Sequence, residues 1–249
     1  MVLLILGASF RMGSDRAPDE SPAHEVGLSS YRIDATEVSV GDYEQFVAAG
    51  GYADAAHWSE GGRAWLAEHP EGAGAALRAS GRGADHPVVA VTWFEAEAYC
   101  HWRGGALPTE AQWEYAACGG RGTRYAWGDT EDFGAAWFGE GKTGQLTGVH
   151  TRAVTDEVAG IAAPNGIRHT AGNVWEWTAD AYDSRAYDDA PAGVKDPVGN
   201  SATPWRTVRG GAFDNLPSYC TCTHREPALP EAPRLTIGFR CAYAAPAAP

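Results

Sequence analysis

Three side chains spaced two apart, Cys220, Cys222 and His224 in the run CTCTH, are the residues of this chain best suited to metal chemistry. On an extended segment alternate side chains point to one face, so two thiolates and an imidazole would share it. That donor set suits Zn(II) or copper, with Asn215 or a water completing the shell. The competing reading pairs Cys222 with Cys118, or simply buries it, and gives His224 a local hydrogen bond. It has weight because strand neighbours two apart rarely converge on one ion without a ligand from elsewhere. With Cys100, Cys118 and Cys241 the cysteines number five, an odd count without zinc-finger spacing.

The elements that must position these side chains are short. Val2 to Leu6 reads as a buried first strand, and the stretch from 10 to 35 as extended pieces joined by turns, with period-two alternation in HEVGLSSYRID. Val40, Tyr43, Phe46 and Val47 follow helical spacing up to the stop signal Gly50-Gly51. Gly51 to Gly83 reads as a long surface insertion pinned by Trp58 and Trp65. Two capping boxes, Thr92 with Glu95 and Thr109 with Gln112, predict two helices. The first presents Ala96, Tyr99 and Cys100 to the core, and the second, behind Pro108, Trp113 and Ala116. From Cys118 to about 148, Gly, Asp and Trp recur without period, which predicts little regular structure. In GNVWEWT, alternation puts Trp175 and Trp177 on one side and Glu176 on the other, the indoles as core.

A chain of 249 residues, 44% apolar, has the material for one domain, here 1–243, with an Ala/Pro tail over 244–249 expected to fray. A net charge of −13 repels nucleic acid and anionic membranes, so neither is an expected partner. No apolar run is long enough to span a bilayer, and the first residues lack the basic start of a signal peptide. As written the chain reads as cytoplasmic and monomeric. An omitted upstream signal peptide would make it periplasmic or secreted.

Six blocks carry a resemblance: FRMGSD; TEVSVGDYEQFV; HPVVAVTWFEAEAYCHWRGGALPTEAQWEYAA; NGIRHTAGNVWEWTAD; RTVRGGAFDN; and IGFRCAY. Together they resemble the formylglycine-generating enzyme (sulfatase-modifying factor) family along essentially the whole length. The resemblance implies an α+β, C-type-lectin-like fold with low regular secondary structure, which a content of 31 Gly and 10 Trp suits. It also implies an oxygen-dependent oxidoreductase in which two thiols hold copper and a substrate cysteine becomes formylglycine, the substrate being a peptide or small thiol.

Mapped on the RGG tripeptide Arg209–Gly211, the two thiol positions are Asn215 and Cys220, so one sulfur is missing, and the serine after RGG is Ala212. An amide is a weak partner for soft Cu(I). Tyr219 and Arg225 keep their places beside Cys220, and these three are the implied catalytic set. Cys100 and Cys241 match a disulfide-bonded pair. Such a bridge would add on the order of 4 kcal/mol by loop entropy and would conflict with a reducing cytosol. The position of Cys222 belongs to a second bridge whose partner falls one residue before Cys118. For calcium, the resemblance implies backbone carbonyls around GNVWEW, where Gly172, Val174 and Glu176 keep their places, while His169 stands where a side-chain oxygen ligand is expected; a second site, over Trp137 to Gln145, lacks a clear carboxylate. The alternative to catalysis is a lectin-like binding or assembly domain. GGYADAAHW is similar to the iron-dependent sulfoxide synthase branch, whose iron-binding histidines come from a further N-terminal domain.

Overall fold

A computed structural model of the chain describes residues 1–72, 74, 83–132, 134, 136–137, 150–156, 163–188, 190–191 and 193–246. Strand β1 (Val2–Ile5) pairs antiparallel with β4 (Tyr31–Asp34), which β10 (Ala242–Ala244) flanks on its other edge. The first strand forms, but as an edge: Ile5 is buried while Leu4 is 54% and Leu6 69% exposed. Alternation allows only one face of such a strand to reach the core. The residues expected to fray start inside the fold, since Ala244 closes β10 against Tyr31. A second sheet has the order β2 (Ala8–Met12), β3 (His24–Leu28), β6 (Val194–Lys195).

The third sheet carries the site. Its order is β8 (Arg225–Ala228), β7 (Arg206–Arg209), β5 (Trp175–Ala181), β9 (Ile237–Gly238). Trp175 and Trp177 pack from β5 into the main apolar cluster, as alternation predicts, while Glu176 meets the Trp113 indole on the other side.

Helix α1 (Val40–Ala48) starts at Ser39, whose side chain accepts from Asp42 N. It buries Val40, Tyr43 and Phe46, whereas Val47 lies off the apolar stripe and is 41% exposed. The stretch expected as an insertion holds a helix of its own, α2 (Glu60–Glu68), with Trp58 and Trp65 stacked and buried; residues 75–82 lie outside the described ones. Helices α3 (Trp93–Trp102) and α4 (Glu110–Cys118) both show the reciprocal capping box, which satisfies backbone amides that a helix start otherwise leaves without partners. Their predicted core faces, Ala96, Tyr99 and Cys100 on one and Trp113 and Ala116 on the other, are fully buried. Between 119 and 132 there is neither helix nor strand, in line with the lack of period; residues 138–149, and with them most of the expected second calcium segment, lie outside the described ones. No described helix is long and apolar enough to cross a membrane.

Two disulfides staple these layers. Cys100 of α3 joins Cys241 just before β10, and Cys118 at the end of α4 joins Cys222.

Candidate functional site

Behind the four-stranded sheet the core holds ions. Arg225, from the first position of β8, donates Nε to Glu110 Oε1 at 2.6 Å and Nη2 to Oε2 at 2.8 Å. Arg209 reaches the same carboxylate at 2.9 Å and Glu114 at 2.5 Å. Arg240 forms a two-point pair with Glu176, 2.6 Å on each oxygen. All three guanidiniums are buried, where an arginine fork on a carboxylate is the geometry that repays desolvation. Arginine and glutamate tune each other: the two guanidiniums hold Glu110 below its usual range despite burial, and Arg225 is raised by Glu110.

Arg225 is fully engaged within this cluster. Its fork is spent on Glu110, its third nitrogen on the carbonyls of Asp19 and Asp183, and its face on the Tyr187 ring. The structure places this candidate of the catalytic set in the buried ion cluster, with its donors engaged.

Cys220 is positioned by the RGG turn. Gly211 sits at φ +73°, and a Cβ there would lie 2.4 Å from the Cys220 sulfur, so only glycine admits the thiol at this spot. Pro217 opens a single 3-10 turn, Pro217–Tyr219, and Cys220 closes it, donating its amide to Pro217 O at 3.0 Å. The thiol is 1% exposed and packs with Ala136, Ala171 and Trp127. Burial pushes it up to about 12, with Asp214 adding to the effect and the Gly172 amide opposing it.

The position that would face it with a second sulfur is committed elsewhere. Asn215 Oδ1 accepts from the Ala212 amide at 2.9 Å, and Asn215 N donates to Ala212 O at 3.0 Å, so the side chain closes the turn after RGG. One buried, protonated thiol beside a capping carboxamide does not fit a two-sulfur copper centre.

The proposed face of Cys220, Cys222 and His224 does not form. Residues 220–223 are bends instead of strand, and the Cys222 sulfur is bonded to Cys118, the alternative left open above. His224 Nε2 lies 3.2 Å from Glu226 Oε1, and its ring stands edge-on to Tyr219, centroids 5.0 Å apart. Among the described residues no group of three or more His, Cys, Asp or Glu side chains converges as a metal site.

The calcium set that the resemblance implies is one of backbone carbonyls around Gly172, Val174 and Glu176. Glu176 lies inside the sheet, paired in register with Arg209 and Gly238, and its carboxylate is bound by Arg240. His169, at φ +58°, offers an imidazole held neutral near 4 by burial and by Arg240, where calcium wants oxygen.

Beside Tyr219 lies an open cleft of about 430 Å³, its walls carrying two arginines, Arg16 and Arg124, two glutamates, Glu20 and Glu226, and His224. Tyr219 and His224 are the two of these that the sequence offered as candidates. Arg16 and Arg124 were not, because nothing local ties the turn after β2 to the irregular segment after α4.

The sulfatase-modifying factor enzyme 1-like domain matches residues 1–245. The chain belongs to that family. It is 34% identical to the formylglycine-generating enzyme of Streptomyces coelicolor over 95% of this chain and 87% of that one. It is also 33% identical to the serine/threonine-protein kinase pkn1 of Chlamydia caviae, over 97% of this chain but 37% of that one, so it corresponds to little more than a third of that relative. Among solved structures, Treponema denticola variable protein 1 superposes with a TM-score of 0.74 at 21% identity, covering 98% of this chain and 95% of that one. PvdO from Pseudomonas aeruginosa gives 0.65 at 20% identity, covering 98% and 94%. Both likenesses speak to the fold. They match the α+β architecture that the resemblance implied.

Proposed function

We propose that this family member is a non-catalytic binding domain, which takes a peptide or small thiol ligand in the cleft beside Tyr219 and His224. One observation carries the reading: Asn215 spends its carboxamide on the Ala212 amide, leaving Cys220 as a lone, buried, protonated sulfur. A metal ligand or nucleophile must be thiolate, and at Cys220 burial, with the Asp214 charge, outweighs the Gly172 amide and favours the thiol. The two disulfides favour an oxidising compartment over the cytoplasm.

The competing reading is an oxygen-dependent oxidoreductase, favoured by 34% identity to a formylglycine-generating enzyme along nearly the full chain. One pair of measurements separates the two. Anaerobic Cu(I) titration against a chelator is expected to give the same weak binding for the protein and for Cys220→Ser, with no oxygen uptake on a cysteine peptide. Copper retention that depends on Cys220, accompanied by oxygen consumption, would overturn the binding reading. As a positive control, Asn215→Cys with Ala212→Ser is expected to raise Cu(I) affinity above the wild type.

A further inference from the structure

Near the end of β5 a buried carboxylate stands without a counter-ion. Asp180 is 5% exposed, and it accepts from the Glu110 amide at 2.7 Å and from the Gly199 amide at 2.6 Å. Among the described residues no arginine, lysine or histidine forms an ion pair with it. Burial and the Glu110 charge push it up to about 7, against the two amides and Arg225.

Asp180 is one wall of a cavity of about 160 Å³ between β5, the start of α4 and the chain around β6. The other polar side chains in its lining are Glu110, Arg225, Tyr187 and His24, and the remaining walls are apolar. Met12 and Ala111 are buried there, while Val198, 52% exposed, stands at the rim.

The positive charge in this lining is already matched. Arg225 and Arg209 pair with Glu110 and Glu114, and the remaining donors of Arg225 are on the carbonyls of Asp19 and Asp183. Arg206 of β7 feels Asp180 but donates to Ala179 O and lies over the Trp93 ring, 3.8 Å from its centroid. His24 Nδ1 is 3.0 Å from Pro22 O. Asp180 is left as the unmatched charge. The Tyr187 hydroxyl is left as well, buried and without a hydrogen-bond partner.

A carboxylate in a low-dielectric wall gains most from a cation at contact distance. An anion would meet Asp180 with no free guanidinium fork to hold it, and an alcohol would recover a hydrogen bond but no charge. The size suits a compact body, since an apolar cavity of about 150 Å³ takes up a benzene ring.

We infer that this cavity binds a small primary alkylammonium ion, its charged end on Asp180 and its short alkyl body against Met12, Ala111 and Val198, with the Tyr187 hydroxyl completing the polar wall. The inference goes beyond the binding-domain reading, because the cavity shares no wall residue with the cleft beside Tyr219.

The test is isothermal titration calorimetry of the full chain with n-butylammonium chloride, n-butanol and sodium butyrate at about pH 8, where the amine stays protonated. Butylammonium is expected to bind at least about tenfold more tightly than either of the other two, the size of one charge-assisted hydrogen bond. Asp180→Asn and Ala190→Leu, the second filling the cavity without a change of charge, are each expected to weaken it about tenfold or more. Glu44→Gln, the same loss of charge at an exposed position outside the cavity, is expected to leave it unaltered. Absence of butylammonium binding overturns the inference, as does equal binding of butanol or butyrate. Indifference to either cavity substitution, or an equal loss in Glu44→Gln, overturns it too. Circular dichroism on each variant separates lost binding from lost fold. If Asp180→Asn, deprived of one amide bond, fails to fold, Ala190→Leu and the butanol comparison still decide. Copper retention or oxygen uptake would refute the non-catalytic reading without touching this result.

Discussion

Alkylation of Cys220 is the most direct probe of the thiol site. Its four fellow cysteines are bonded in pairs, so a thiol reagent applied to the native protein reads Cys220 alone. Burial moves the group from the ordinary 9.0 to about 12. At any pH below 9 the thiolate fraction is then about a thousandfold smaller than that of an ordinary cysteine, and forming it costs about 4 kcal/mol more. The same penalty falls on copper, which must displace the proton to bind. Iodoacetamide labelling, followed by intact-mass measurement across pH 7 to 11, is expected to rise log-linearly with no plateau near 9. Steric shielding alone would lower the rate but keep that plateau, so the shape of the profile identifies the cause. A plateau at or below pH 9, or a rate within tenfold of the unfolded chain at pH 8, would refute the proton-holding account of this site. Stability carries the same sign: the protonated thiol favours the fold below about 9, and that contribution is lost as pH rises through about 12.

Three further outcomes follow from the buried charges and the staples. Arg240→Met strands the fully buried Glu176 carboxylate and is expected to cost about 3–5 kcal/mol in urea denaturation; a loss below 1 would show that the pair is not desolvated. Glu37, raised by burial from 4.5 to about 8, with Arg240 opposing and Glu176 reinforcing the shift, favours the fold below about 4.5 and loses that contribution as pH rises through about 8. Glu37→Gln, which keeps an acceptor for Asn173 Nδ2, is therefore expected to gain stability over the wild type progressively between those limits, and a gap independent of pH would count against the shift. Replacing Cys118 and Cys222 by alanine opens a separation of 104 residues and is expected to cost about 2–5 kcal/mol by calorimetry, with a negligible change contradicting the staple.

What could be read from the sequence was local. Thr92 with Glu95 and Thr109 with Gln112 are complete within four residues, and both capping boxes stand as predicted. The Trp175-Glu176-Trp177 alternation was equally legible, since a strand needs only its own pleat to decide which side each residue takes. Cys220, Cys222 and His224 were misjudged as one face because Pro217 starts a 3-10 turn and bends follow it, whereas the pattern assumed extended backbone. Arg225 lies 115 residues from Glu110 in the chain, and no spacing rule connects them. Val47 and Leu4 satisfied an apolar pattern yet face outward, since periodicity names a stripe but not its width. Arg16 and Arg124 meet only once the tertiary fold has closed.

The order of the two disulfides along the chain has a mechanical consequence. Cys100 and Cys118 both precede the span that Cys222 and Cys241 both follow. A single backbone cut anywhere from 119 to 221 therefore leaves two fragments joined by two covalent links. Proteolytic nicking of that span releases nothing until a reductant is added.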